Sequence, residues 1–206
     1  ASDAVAGRPP FSEPVPVRAV ARVYDDFVHL VVAESSSIES IEDLRGRNVS
    51  LGAVGSGTEL IARRVLAAAG VSASEMKNAA LGIDGSVEAL RSGGIDAFFW
   101  SGGLHTPGVS ELAGKLDIRL VELGSVVDGV RQVHGGAYRH GVVPEGMYGL
   151  EADIATMAVP NYLVVHADVS DELAYDVTRL LFEHRSKIAA EVPAAALLDR
   201  PRAIFT

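Results

Sequence analysis

The stretch "GAVGSGTE", residues 52–59, is the densest cluster in the chain of groups able to hold a ligand. Gly52, Gly55 and Gly57 accept backbone angles closed to other residues and let a ligand approach the main chain. A helical pattern follows at once. The first N–H groups of such a helix have no internal partner, and with the helix dipole they favour a carboxylate or a phosphate. Ser56 and Thr58 add hydroxyl donors. The same spacing also fits a plainer role, a strand-to-helix turn capped by Ser56 or Thr58.

Sharper motifs are absent. A Walker A loop needs G-x-x-x-x-G-K-[ST]. Gly52 and Gly57 have the spacing, but Thr58-Glu59 replaces the Lys-Ser, which disfavours nucleoside triphosphates. A dinucleotide fingerprint counted from Gly52 needs glycine where Val54 stands. A nucleophile elbow needs G-x-S-x-G, and "GSG" is too tight on both sides of Ser56. His29, His105, His134, His140, His166 and His184 form no pair at helical spacing and no H-E-x-x-H. His29 and His166 lie in apolar strand patterns, where a satisfied core histidine is the common outcome. No carboxylate pair stands out for acid–base work. The chain has no cysteine, which excludes disulfides, Cys-based zinc sites and cysteine nucleophiles. The expectation is a binding protein with no catalytic residues, no metal and no cofactor.

The elements that must position the loop follow from periodicity. "FVHLVVA" (27–33) reads as a buried strand and "NVSLGA" (48–53) as another. Between them Ser40 and Asp43 have capping-box spacing, and Gly46 can stop the turn. The helix after the glycines runs to about Ala69 and ends at Gly70, with Leu60, Ile61, Val65 and Leu66 on one face. "SVEALRSGG" (86–94) is a helix with a double-glycine stop, and "IDAFFWS" (95–101) and "LDIRLVEL" (116–123) are strands. "ATMAVPNYLVVHAD" (155–168) is one strand or two, interrupted at Pro160. Residues 170–191 form an amphipathic helix capped by Ser170, with Leu173, Val177, Leu180 and Leu181 as its apolar face. "GRPPFSEPVP" (7–16) is an extended connector. Strands alternate with helices, so the class is α/β with mostly parallel pairing, and residues 46–123 form a complete β-α-β-α-β-α-β series. In open α/β sheets ligands bind beyond the carboxyl ends of strands. The glycine loop and Phe99–Gly103 both lie at such ends. Trp100 is there either a ligand contact or a packing residue.

With 206 residues, the chain suffices for one large domain or two small ones. Its net charge of −9 and the lack of any Lys/Arg block disfavour nucleic acid. No apolar run reaches the roughly 20 residues of a membrane helix, so no direct membrane insertion is expected. The N-terminal "ASDAVAGRPPFSEP" has no basic start followed by an apolar core, so a signal sequence is not expected within this chain.

The order of the segments resembles the TAXI family, the solute-binding subunits of TRAP (tripartite ATP-independent periplasmic) transporters. "ARVYDDFVHLVV" resembles that family's "L-Y-P-E…H-L-V-V" strand. "SIEDLRGRNVSLGAVGSGTELIARRVLAAAG" is similar to its D-L-K-G-K and G-S-G-T block, and "GGIDAFFWSGG" to the segment that follows. "VPEGMYGLEADIATMAVPNYLVV" and "LAYDVTRLLFEH" resemble its late strand and helix, so the likeness covers most of residues 17–190. It implies a periplasmic-binding-protein type II-like α/β fold: two lobes with a cleft between, closing over a solute and docking on membrane transporter subunits. It implies a periplasmic or extracellular location, free or lipid-anchored, and a small carboxylate ligand such as glutamate or a dicarboxylate. Carried over by position, the ligand-binding residues are Gly55, Ser56, Gly57 and Thr58, with Tyr24, Trp100, Ser101 and Gly102 around them. Residues 46–123 correspond to the second lobe, and residues 1–45 and 124–206 to a partial first lobe with the crossover segments. The family's opening Gly-rich segment and its closing "H-P-G-A…Y-Y" have no counterpart, so the first lobe is expected to be truncated at both ends. Unpaired edges and exposed apolar surface are then expected on it.

Three alternatives stand beside the receptor. An effector-binding domain of a regulator shares the fold, but residues 1–26 hold no helix-turn-helix. An enzyme acting on a small anionic substrate needs catalytic groups at the strand ends, where only scattered Asp, Glu and His are available. A packing or interaction protein derived from a receptor is also consistent with the truncation.

Overall fold

The computed structural model describes residues 2–8, 11–198 and 203, and Pro9 and Pro10 of the expected connector lie outside them. In chain order the elements are α1 Ser2–Val5, β1 Val17–Ala33, β2 Asn48–Ser50, α2 Gly57–Ala68, β3 Lys77–Asn78, α3 Ile83–Arg91 and β4 Ala97–Gly102. They continue with α4 Pro107–Ala113, β5 Ile118–Leu120, α5 Val127–His134, β6 Arg139–Val143, β7 Ile154–His166, α6 Asp171–Glu183 and α7 Arg185–Glu191. The chain divides into two compact units, Asp25–Val159 and Ala1–Tyr24 with Pro160–Thr206, so that β1 and β7 each pass from one unit into the other.

The series expected over 46–123 is present in the Asp25–Val159 unit as β2-α2-β3-α3-β4-α4-β5. β2 pairs in parallel with β3 and with β4. β1 enters antiparallel to β4 and β5, and β6 antiparallel to β7. The sheet is therefore mixed rather than mostly parallel. β1 precedes the βα series and arrives from outside it, so no right-handed crossover dictates its direction.

Strand alternation sends side chains to two cores in this unit. Val28, Leu30 and Val32 of β1 and Phe99 of β4 pack with Ile61, Val65 and Leu66 of α2 and with Val127 and Val130 of α5. Val31 and Phe98 point the other way, to Leu90 of α3 and Val109 and Leu112 of α4. Helices thus cover both faces, as a strand buried on both sides demands. Leu60, expected on the buried face of α2, is 39% exposed, because the helix turns Thr58, Ile61 and Ala62 inward instead.

Other expectations need correction. The turn over Glu42–Leu44 is a 3₁₀ turn entered at Ile41 without a side-chain cap. Asp43 instead reaches back to the Ser40 N–H at 2.9 Å and the Ser40 hydroxyl at 2.9 Å. The strand expected over 116–123 is only Ile118–Leu120. Pro160 does not interrupt β7.

In the other unit Ser170 caps α6 as expected, its hydroxyl accepting from the Leu173 N–H at 3.2 Å. The expected helix over 170–191 breaks at His184 into α6 and α7. Leu173 and Leu180 are exposed at 54% and 45%, while Val177 and Leu181 are half-buried, so only part of the expected apolar face of α6 is covered. Tyr175, Val192 and Leu197 are also exposed.

Candidate functional site

β2 ends at Ser50, and the chain turns through Leu51–Ser56 into α2. Gly52 has φ +105°, and a Cβ there would lie 2.9 Å from both the Glu59 nitrogen and the Thr58 Cβ. Only glycine lets the loop pass under the start of the helix. Gly55, at φ +75°, makes the second turn.

The donors of the loop divide into spent and unspent. Ser56 is the helix cap: its hydroxyl accepts from the Glu59 N–H at 3.1 Å, and its own N–H donates to the Ala53 carbonyl at 3.0 Å. The capping role therefore belongs to Ser56 and not to Thr58. Gly55 donates its N–H to Glu59 Oε2 at 2.7 Å. The other Glu59 oxygen accepts from Arg63 Nη2 and Nε at 2.7 and 3.1 Å. These contacts, Arg63 first and then the Gly55 N–H, hold the Glu59 carboxyl below its ordinary pKa. The loop thus already binds one carboxylate, its own. Gly57 and Thr58 are the first two residues of α2, and no described residue accepts from their N–H groups. Gly57 is exposed and Thr58 is buried. The two N–H groups that remain point from the end of a 12-residue helix, where the dipole favours an anion.

The neighbouring strand ends adjoin this loop. Asn78, at the end of β3, accepts through Oδ1 from the Leu51 N–H at 3.3 Å and the Ala80 N–H at 3.0 Å. Ser50 is fully buried, accepts from the Leu81 N–H at 3.1 Å, and takes the Ser86 hydroxyl at 2.9 Å. Ser50, Asn78 and Ser86 fix the loop from behind, and sequence reasoning did not single them out. The available signal was a serine in an apolar strand and an asparagine closing a very short one.

On the other side β4 runs on past the end of β2, in a register that sets Ser50 beside Phe98. Trp100 is half-buried within the strand, and its indole N–H donates to the Thr106 hydroxyl at 3.0 Å. Ser101 donates to Asp26 Oδ2 at 3.3 Å. Gly102 is required by Trp100, since a Cβ there would come within 2.4 Å of the indole nitrogen. Tyr24 is half-buried in β1 and is the last residue of the first stretch of the other unit. The structure thus brings Gly55, Ser56, Gly57 and Thr58 into one loop, with Trp100, Ser101 and Gly102 on a strand of the same unit.

A buried polar cluster sits opposite Trp100 in the β1–β4 register. His29 is fully buried, and its Nδ1 lies 2.8 Å from the Phe27 carbonyl, while Nε2 has no partner among the described residues. It is a core histidine as expected, but only half satisfied. Nδ1 carries the proton, so the bare Nε2 would have to be charged in an apolar surround. Burial accordingly lowers its pKa from 6.5 to about 4, against the opposing pull of the Phe27 and Trp100 backbone. Tyr148 packs edge-on to the ring at 5.6 Å, and its hydroxyl accepts from the Thr106 N–H at 3.0 Å. Burial raises the Tyr148 pKa. His166, expected in a core, is instead exposed at the end of β7. Among the described residues no three of His, Asp or Glu stand together as metal ligands, and no helix is long and apolar enough to cross a membrane.

A family model described as the NMT1-like family matches residues 1–204. Among solved structures the chain is similar to SsuA, the periplasmic aliphatic sulphonate binding protein from Escherichia coli. The two are 16% identical with a TM-score of 0.51, and the match covers 91% of this chain and 57% of that one. It is also similar to an ancestral arginine-binding protein bound to arginine (19% identity, TM-score 0.47, 85% and 63% covered). A third is a putative L-cystine ABC transporter from Listeria monocytogenes (16% identity, TM-score 0.45, 81% and 56% covered). The likeness to SsuA shows the expected fold, periplasmic-binding-protein type II-like α/β. The chain spans little more than half the length of that protein.

Proposed function

The chain belongs to the NMT1-like family, and from that premise we propose that it is an extracytoplasmic solute receptor that binds a small carboxylate reversibly. The observation that carries this reading is the pair of N–H groups at Gly57 and Thr58, unspent at the end of α2 in a loop whose Gly55 N–H already holds a carboxylate. A carboxylate needs two or three such donors and no chemistry. SsuA, the similar solved structure named for sulphonate binding, is itself a periplasmic binding protein, which fits the same role. Within the site Gly55, Ser56, Gly57 and Thr58 form the anion end, and Trp100, Ser101, Gly102 and Tyr24 are further candidates for contact with the rest of the solute.

The resemblance of the G-S-G-T block to the TAXI family supports the finer reading. The solute is then an amino acid such as glutamate, or a dicarboxylate, and the partners are the membrane subunits of a TRAP-type transporter outside the cytoplasm. The ligand-carrying lobe is built on the 46–123 series, and β1 and β7 are the crossover strands. Thermal shift and calorimetry against a panel of amino acids and dicarboxylates test this. The chain and a version extended to the length of its relatives are compared. A stabilising ligand whose effect is lost in Gly57→Pro, which deletes one of the two unspent N–H groups, supports the reading. A folded, extended protein that responds to no carboxylate refutes it.

A further inference from the structure

The unit formed by Ala1–Tyr24 and Pro160–Thr206 holds a groove of about 200 Å³, several times the volume of one water. Val20, Val165 and Ala174 give it apolar walls, Tyr175 and Thr178 of α6 border it, and Arg18 of β1 lines it. The Thr178 hydroxyl is occupied, donating to the Ala174 carbonyl at 2.6 Å. Arg18 is not fully occupied. Its Nη1 donates to Asp171 Oδ1 at 2.6 Å and its Nη2 to the Val169 carbonyl, while Nε is buried with no partner among the described residues.

A guanidinium has five N–H donors in a rigid fork that matches a carboxylate. Leaving one of them buried and unpaired is costly, and native structures seldom do so without a reason. Two of the three Arg18 nitrogens are anchored, so the group is held in place for a ligand. Its acidic partner is weakly committed: the Asp171 side chain is 93% exposed, and an ion pair in that setting is screened and easily exchanged. An incoming carboxylate can displace the exposed Asp171 from Nη1, while an aliphatic tail lies against Val20, Val165 and Ala174.

We propose that this groove is a second binding site, separate from the strand-end loop, that takes a carboxylate bearing a short branched aliphatic chain, with Arg18 as its anchor. Such a group occurs on free branched-chain acids and at the C-terminus of a peptide ending in valine or leucine. The proposal does not rest on the receptor reading.

The test is a titration of the whole chain followed by the Arg side-chain N–H resonances in ¹H–¹⁵N spectra, with sodium isovalerate, isovaleramide, and acetyl-Ala-Ala-Val as free acid and as amide. Isovalerate is expected to shift the Arg18 Nε–H saturably, and isovaleramide is not. Asp171→Asn, which removes the competing carboxylate, is expected to tighten binding about two- to fivefold. Arg18→Lys, which loses the fork, is expected to abolish the saturable response. Tighter binding of the free-acid peptide than of isovalerate assigns the site to chain termini, and weaker binding assigns it to free acids. Gly57→Pro must leave the response intact. No saturable shift with either carboxylate, an equal response to isovaleramide, or an affinity unmoved by Asp171→Asn overturns the proposal. Asp171 is exposed, so that last variant remains readable even if Arg18→Lys fails to fold.

Discussion

Replacing His29 by phenylalanine should remove the part of the acid sensitivity of the Asp25–Val159 unit that this buried imidazole contributes. The imidazole is fully buried with Nε2 unpaired, and its folded pKa is about 4 against 6.5 when free. Folding depresses the pKa of a base, so the unfolded chain takes up the proton first. Stability is therefore whole above pH 6.5 and falls as pH drops toward 4. The linkage relation gives a loss of about 2 kcal/mol between pH 7.5 and pH 5, and about 3 kcal/mol once pH is well below 4. Phenylalanine keeps a flat ring against Tyr148 at the cost of the Nδ1 bond to Phe27, so stability at pH 7.5 should change by no more than about 1–2 kcal/mol. Trp100 is the only tryptophan and is paired with His29 in the register, so its fluorescence reports the right place. Urea unfolding followed by that fluorescence at pH 5.0 and 7.5 should show a loss about 2 kcal/mol larger in the native chain than in the variant. Other titrating groups are common to both proteins and cancel. Equal pH dependence in the two would refute the assignment of a buried neutral histidine with a bare Nε2.

Ser56→Ala should cost about 1 kcal/mol of stability, the usual worth of a helix N-cap, because the Glu59 N–H loses its acceptor; chemical denaturation at pH 7.5 measures it. Gly52→Ala should cost more, on the order of 1–3 kcal/mol, since φ is +105° and the new Cβ meets the Glu59 nitrogen at 2.9 Å. It should also weaken any ligand held by the loop, which a paired stability and binding measurement resolves.

The part of the fold most legible in the sequence was the 46–123 series, because its helices and strands announce their ends. Ser56 caps, Gly70 and Gly93 adopt positive φ at helix stops, and Phe98 and Phe99 sit in an apolar run. β1 was legible only over its buried half. Residues 17–26 carry Arg18, Arg22, Asp25 and Asp26 among the apolar positions, and a half-exposed strand dilutes its own period. Pro160 misled in the other direction: the register of β7 with β6 covers only Ile154–Ala158, so Pro160 lies beyond it and its missing N–H costs that pairing nothing. The face of α6 could not be read from period alone: Leu173 and Leu180 have core spacing and face outward. At the site, the glycine loop and its cap were legible from residue types. That Glu59 folds back on Gly55, and that Asn78 and Ser50 brace the loop, depends on contacts across 4 to 36 positions that no local spacing encodes.

Gly57→Pro isolates the central claim. Proline is favoured at the first position of a helix, and it restricts the preceding residue to extended angles, which Ser56 already has at φ −75° and ψ 160°. A Cβ at Gly57 meets nothing within 4 Å. The substitution should leave stability unchanged or slightly raised while deleting one N–H that faces the ligand. Calorimetric titration of the native protein and this variant with the best carboxylate of the panel is the direct measurement. The account predicts an unaltered fold and an affinity at least about tenfold lower, the worth of a hydrogen bond to a charged acceptor. Equal affinity in the two proteins would contradict it.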